Sequence, residues 1–234
     1  MLAIYKREMR SYFTTPIGYI FTAVFLAISG FIFSISTFHS ATTDVSGYTQ
    51  IMLFGYILLL PLLTMRSFAE ERRLKTEQVL MTSPVSLFGM VFAKFLAAYT
   101  MFAGTVLVSC FYFIPVARLG SVNYPKTFGC LIAMMLVGLC FVSVGIFVSA
   151  LTESQMTAAV ATVLVLLVFV GASLFNGLID SQLIKNILSW ISVYSRFNNF
   201  TYGIFDTAGA LYYLSVTGVF LFLSVRVYER RRWA

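Results

Sequence analysis

The sequence predicts an all-α integral membrane fold. It comprises an N-terminal interfacial helix, six transmembrane helices, a charged helix between the second and third spans, and short re-entrant-type helices between the fifth and sixth. Three observations predict it. Hydrophobic residues make up 59% of the 234 residues and charged ones 11%, with a mean hydropathy of +0.89, which leaves too little polar surface to cover a soluble globule. Six uncharged apolar runs approach the roughly 20 residues that a helix needs to cross a bilayer. Basic residues gather at alternate ends of those runs, the pattern that fixes membrane topology.

Residues 1–15 mix Leu2, Ile4, Tyr5, Met9, Tyr12 and Phe13 with Lys6, Arg7, Glu8 and Arg10, the composition of a helix lying in the membrane interface. Pro16 then turns the chain inward. The run 17–38 is too long for a signal-peptide core, and no small-residue cleavage pattern follows it, so it is read as an uncleaved span. Further spans are expected at 48–65, 95–117, 127–152, 156–179 and 207–225.

Lys6, Arg7 and Arg10 precede the first span, Arg66, Arg72, Arg73, Lys75 and Lys94 lie between the second and third, and Arg226, Arg230, Arg231 and Arg232 follow the sixth. Arg118, Lys126, Lys185 and Arg196 fall on the other side. The imbalance puts both termini in the cytoplasm. The formal charge of +7 is thus a topology signal. It does not indicate nucleic-acid binding, because the charges flank apolar spans and form no single groove.

Between the fifth and sixth spans, residues 176–206 carry Leu178, Ile179, Leu183, Ile184, Ile187, Leu188, Trp190 and Ile191 at near-helical spacing, broken by Asp180, Lys185 and Asn186. Two short helices dipping into the outer leaflet would keep Trp190 and Tyr194 at the interface. A capped extracellular loop fits this segment equally well, and both readings stand at this point.

Cys110, Cys130 and Cys140 fall inside expected spans and have no metal-ligand spacing with the single His39, so they are read as packing residues. No charged residue lies well inside any run, whereas ion-coupled transporters keep such groups within their spans; a channel or secondary transporter is therefore disfavoured. No phosphate-cradling Gly-x-x-x-x-Gly-Lys-[Ser/Thr] loop is present. Neither is a Ser/His/Asp, paired-carboxylate or metal constellation. The chain is expected to be non-catalytic, to carry no cofactor, and to draw energy from another polypeptide.

That places weight on the segment 66–86. Arg66 with Glu70, Glu71 with Lys75 and Arg73 with Glu77 stand four residues apart, as in a short solvated helix. Phe68 could supply a buried aromatic contact within a rim of ion pairs. The segment reads as a docking element.

The stretch Met65-Arg-Ser-Phe-Ala-Glu-Glu-Arg-Arg73, Thr76, Leu80, Thr82-Ser-Pro-Val-Ser86 and Lys94 resembles the ABC-2 type permease family, specifically its gliding-motility-associated branch. Lys6-Arg-Glu8, Pro16-Ile-Gly-Tyr19, residues 149–155, residues 196–203 and Tyr212-Tyr-Leu-Ser215 extend the resemblance over most of the chain. Each of these motifs is short. The resemblance implies a multi-pass subunit of the bacterial inner membrane, with segment 66–86 as a coupling helix. Arg66, Phe68, Glu70, Glu71, Arg72, Arg73, Thr76, Glu77 and Pro84 would contact a cytoplasmic ABC ATPase present in two copies, which holds ATP and Mg. It also implies pairing with a second copy or a related permease to enclose a path.

The family commonly has Gly-Thr-x-Glu where this chain has Lys75-Thr76-Glu77-Gln78. Lysine lacks glycine's access to positive φ, so a continuous helix is expected here.

Small residues at Gly138, Ser143, Gly145, Ser149, Ala158, Ala159, Ala161, Gly171, Ala172 and Ser173 allow close helix approach, chiefly within one subunit. The polar residues of the spans, such as Thr22, Ser29, Ser34, Thr100, Thr105 and Ser109, are uncharged hydroxyls, which disfavours a strongly anionic cargo. Two functions are compatible with the whole pattern. One is export of an amphipathic compound; the other is transmission of ATP-driven work to an extracytoplasmic protein.

Overall fold

The computed structural model describes residues 1–39, 44–75, 86–119, 123–175, 192–203 and 206–233, and no strand occurs among them. Its helices are α1 (Leu2–Thr14), α2 (Pro16–Phe33), α3 (Ser46–Thr64), α4 (Arg66–Arg73), α5 (Leu87–Ser109), α6 (Phe113–Leu119), α7 (Tyr124–Leu151), α8 (Gln155–Phe175), α9 (Val193–Thr201) and α10 (Thr207–Trp233). A π-helical turn at Ser34–His39 extends α2, and a 3-10 turn at Cys110–Tyr112 joins α5 to α6.

Among the described residues, six helical stretches are long and apolar enough to cross a membrane: Pro16–Thr37, Ser46–Arg73, Leu87–Val116, Tyr124–Leu151, Gln155–Ala172 and Thr207–Arg231. Their starts follow from local chemistry. Pro16 occupies the first turn of α2 after an extended Thr15, a position where its missing N–H costs nothing. Ser86 Oγ accepts the Gly89 N–H at 3.2 Å and opens α5, while Asn123 caps α7 ahead of Pro125.

The third span begins at Leu87, ahead of the expected residue 95. A charge at Lys94 marked the expected edge, yet the apolar face already starts at Leu87, Met90 and Val91. Lys94 therefore sits seven residues into α5, about 10 Å along its axis.

α7 is the centre of the bundle. It packs on α10, α3, α8, α9, α5 and α4, and 67% of its most apolar stretch is buried, against 28% for the α2 and α8 spans and 33% for α10. Close approach explains this. A Cβ at Gly138 would lie 1.9 Å from the Phe102 ring, and one at Gly145 would lie 2.2 Å from Thr64 Oγ1. Lipid tails give apolar helices no reason to prefer one another, so such contacts do the holding. The small residues of α7 thus serve packing within the chain. Cys130 and Cys140 are buried there as well, while Cys110 is half-buried.

The two ends of the bundle differ. At one end α1, α4, the start of α5, the turn 152–154 and the end of α10 come together, through Arg7 with Glu71, Lys94 with Glu71, Arg72 with Glu153 and Arg231 with the Ala150 carbonyl. At the other end Lys126 pairs with Asp44 at 2.6 Å, Asn199 donates to Asp206 at 2.8 Å, and Arg196 lies over the Tyr212 ring.

α9 belongs to this second end. Ser192 caps it, the Tyr213 hydroxyl donates to the Val193 carbonyl at 2.9 Å, and Phe197 and Phe200 are buried. It occupies the place of one of the two short helices expected between the fifth and sixth spans. The other expected helix falls on residues 176–191, outside the described residues.

Candidate functional site

α3 and α4 are almost one helix, interrupted at Met65. Pro61 lies inside α3 and removes a backbone donor one turn before the interruption. α7 fills the gap. Ser149 Oγ accepts the Phe68 N–H at 3.1 Å and the Ala69 N–H at 3.2 Å, and donates to the Met65 carbonyl at 3.2 Å. An N-cap is normally supplied by the helix's own chain just upstream; here a neighbouring helix supplies it.

α4 is only partly solvated, which corrects the expectation of a free polar helix. Ser67, Phe68 and Ala69 form a buried face. Phe68 is 1% exposed, its ring centroid 4.8 Å from that of Tyr228 of α10 and tilted 39° to it, with Lys94 Nζ 4.7 Å from the centre of its ring. The sequence assigned Phe68 to a partner contact, but its ring is spent inside the chain, where it fastens α4 to α10 and α5. An aromatic side chain carries enough apolar surface for either use, and spacing alone does not distinguish them.

Lys94 is the other side of that fastening. Its side chain is 1% exposed. Its ammonium donates to the Ser67 carbonyl at 2.5 Å and lies 2.9 Å from Glu71 and 3.3 Å from Glu8. Arg7 bridges the same two carboxylates, 2.7 Å from Glu8 and 2.6 Å from Glu71. Cations and carboxylates thus alternate across three helices, α1, α4 and α5. Burial pushes the Glu8 carboxyl upward, but Lys94 and Arg7 outweigh it and hold the group below its ordinary value. The Arg7 guanidinium loses by desolvation and gains more from Glu8 and Glu71, so it is held above its own ordinary value.

Other contacts complete the attachment. Arg66 pairs with Glu70, as the i,i+4 spacing predicts, and donates to Thr15 Oγ1 at 2.8 Å. Arg72 reaches Glu153 at 2.6 Å and the Leu151 carbonyl at 3.2 Å. A cleft of about 320 Å³ remains between α1 and α4, lined in part by Ser11, Tyr12, Arg66 and Glu70.

The end of α4 overturns the expectation of a continuous helix. Leu74 N–H bonds to the Glu70 carbonyl and Lys75 N–H to the Arg72 carbonyl, and Lys75 adopts φ 56. A left-handed residue here satisfies carbonyls that the helix end leaves open, so the bend forms without glycine, at roughly 1 kcal/mol of strain. The helical register that would align Glu71 with Lys75 stops at Arg73.

Of the residues expected to contact a partner, Arg66, Glu70, Glu71 and Arg72 are brought together with α1 and α7, and Arg73 is exposed. Thr76, Glu77 and Pro84 lie outside the described residues. Leu74, 58% exposed beside Arg73 and Lys75, was missed; its signal was an apolar residue in a run of charges. Glu8, Ser149 and Tyr228 were also missed as members of the site. For Ser149 the sequence offered only a packing signal, as a small residue one turn from Gly145 that allows close helix approach.

Residues 34–225, about four-fifths of the chain, match the family described as ABC-2 family transporter protein. The chain belongs to the ABC-2 transporter family. No curated protein matches it. This ABC-2 chain is a multi-pass membrane protein, and its family membership implies the permease subunit of an ABC transporter with an ABC ATPase as partner. The matched residues include α4, Lys94 and Ser149. They leave out α1, so Arg7 and Glu8 tie an additional helix to the matched region.

Proposed function

We propose that this permease subunit receives mechanical work from a separate cytoplasmic ATPase through α4, and uses it to export an amphipathic substrate across the bacterial inner membrane. The ATPase, in two copies, holds the ATP and Mg. Arg73, Leu74 and Lys75 form the tip that enters the ATPase surface, with the charges of Glu70 and Arg72 at its rim. The permease works as a pair, with a second copy or a related permease facing it.

One observation carries this reading: α4 projects an exposed tip while its opposite face is locked into the bundle. Force applied at Leu74 has direct routes inward. Phe68 against Tyr228 leads to α10, Lys94 leads to α5, Ser149 leads to α7, and the Arg7 and Glu71 pair leads to α1. A loop that merely solvated the membrane surface would need none of these attachments.

The test is co-purification. The tagged full chain is isolated from its native membranes, and ATPase subunit and ATP hydrolysis are measured in the eluate. Arg73→Glu combined with Leu74→Asp is expected to abolish both while the thermal transition of the permease stays unchanged, because neither side chain is buried. Undiminished recovery of the ATPase with this variant contradicts docking at α4. Reversing Glu71 is the poorer probe, since that carboxylate holds Lys94 and Arg7.

A further inference from the structure

We propose that the outward face of α1 binds anionic phospholipid headgroups, and that the lipid held there biases the position of α4. The lipid contact stands on the geometry of α1 alone; its effect on α4 rests on the function proposed above.

α1 has three distinct sides. Ile4 and Tyr12 are buried, and Glu8 turns inward to Lys94 and Arg7. On one flank Met1, Leu2 and Tyr5 meet Phe92, Ala93 and Leu96 of α5 around an apolar groove of about 270 Å³; α5 enters the bilayer here, so this is the membrane flank. On the opposite flank Arg7 and Ser11 face the cleft beside α4. Between the flanks, Lys6 and Arg10 stand one helical turn apart and are exposed.

That intermediate level is where phosphates sit, because α2 starts its descent into the membrane at Pro16, two residues after α1 ends. Phe13 and Tyr19 meet edge to face at 6.2 Å beside it, and amphipathic rings favour the same level. Among the described residues, neither Lys6 nor Arg10 meets a carboxylate, whereas Arg7, Arg66 and Arg72 of the same end each do. The face is thus basic, unneutralised by the described residues, and bordered by exposed Leu2 and Phe13, which suits a phosphate on an acyl-chain surface.

The consequence follows from the ion cluster. Glu8 on the inner side of the same helix and Arg7 on its α4-facing flank grip Lys94 and Glu71, so attraction of α1 toward an anionic leaflet is transmitted to α4 through contacts of 2.6–3.3 Å.

Native mass spectrometry of the purified full chain tests the contact without any ATPase, counting phosphatidylglycerol and phosphatidylcholine molecules retained from mixed micelles. A basic residue at a membrane surface contributes about 5-fold in affinity, so Lys6→Gln with Arg10→Gln is expected to reduce phosphatidylglycerol retention about 25-fold and leave phosphatidylcholine retention unchanged. The charge-keeping pair Lys6→Arg with Arg10→Lys is expected to behave as the wild type. Undiminished phosphatidylglycerol retention by the glutamine pair, or an equal loss in the charge-keeping pair, overturns the proposal. A second arm uses the permease with its ATPase in nanodiscs of either lipid. ATP hydrolysis is expected to depend on phosphatidylglycerol in the wild type and not in the glutamine pair. If hydrolysis is insensitive to lipid while retention is intact, the link from α1 to α4 is wrong. If the glutamine pair loses the ATPase even in phosphatidylcholine, the face belongs to the ATPase and the lipid proposal fails.

Discussion

Lys94 meets Glu71 at 2.9 Å with its own side chain only 1% exposed, in a chain whose spans otherwise read as free of charge. A lysine withdrawn this far from water persists only where its partners are in place, because a buried ion left unpaired is costly. Glu8, Glu71 and the Ser67 carbonyl supply those partners from two other helices, so the pair is at once the cost of the site and its specification.

Lys94→Met removes the cation and leaves two carboxylates crowded beside Arg7. The expected loss is about 3 kcal/mol of stability, read as a lowered thermal transition in detergent. Adding Glu71→Gln to Lys94→Met is expected to recover part of that loss, since partners in one network are not additive. Simple addition of the two single effects would argue that the contact is incidental.

Acid titrates Glu8 of the same cluster. Glu8 is held below its ordinary value of 4.5, so its contribution to stability is present in full above that pH and is lost as pH falls through the lower, folded value. The wild type is therefore expected to exceed Glu8→Gln in thermal stability at pH 7 and pH 5, and to lose that advantage progressively as pH falls below 4.5 toward the lower, folded value. A difference that does not change with pH would contradict the assignment.

Ser149→Ala removes the acceptor shared by the Phe68 and Ala69 N–H groups. The expected cost is about 1–2 kcal/mol. Because the cap sits between the membrane helix and the exposed tip, protease cleavage or hydrogen exchange near Arg73 is expected to increase before the rest of the fold responds. Unchanged exchange in α4 would mean that the hydroxyl is not holding it.

Gly138→Ala places a methyl group into the Phe102 ring and is expected to destabilise by about 1–3 kcal/mol. Phe102→Leu in the same chain should restore part of this, because the three atoms nearest the added Cβ all belong to that ring. If the double variant is no more stable than Gly138→Ala, α5 and α7 do not meet where the structure places them.

Much of this was legible in the sequence for physical reasons. Six apolar runs can be satisfied in a bilayer only as helices, and the basic residues mark which ends gather together. What escaped was set by contacts between distant segments. Phe68 looked outward because its neighbours are charged, yet Tyr228 lies 160 positions away in the chain and claims its ring. Lys94 looked like a span boundary because hydropathy weighs a charge without its partners. Lys75 looked like helix because lysine lacks glycine's access to positive φ, whereas the open carbonyls at the end of α4 favoured a left-handed turn. Ser149 carries no sequence signal of capping, because the helix it caps is not its own.

The most direct measurement places a photo-activated cross-linker at Leu74 in the intact complex and identifies what it captures with and without ATP. The expected result is a single adduct with the ATPase subunit, altered in yield by nucleotide and absent when the cross-linker is moved to Tyr124 at the opposite end of the bundle. Capture of the ATPase at Tyr124 and not at Leu74 would contradict transmission of work through α4.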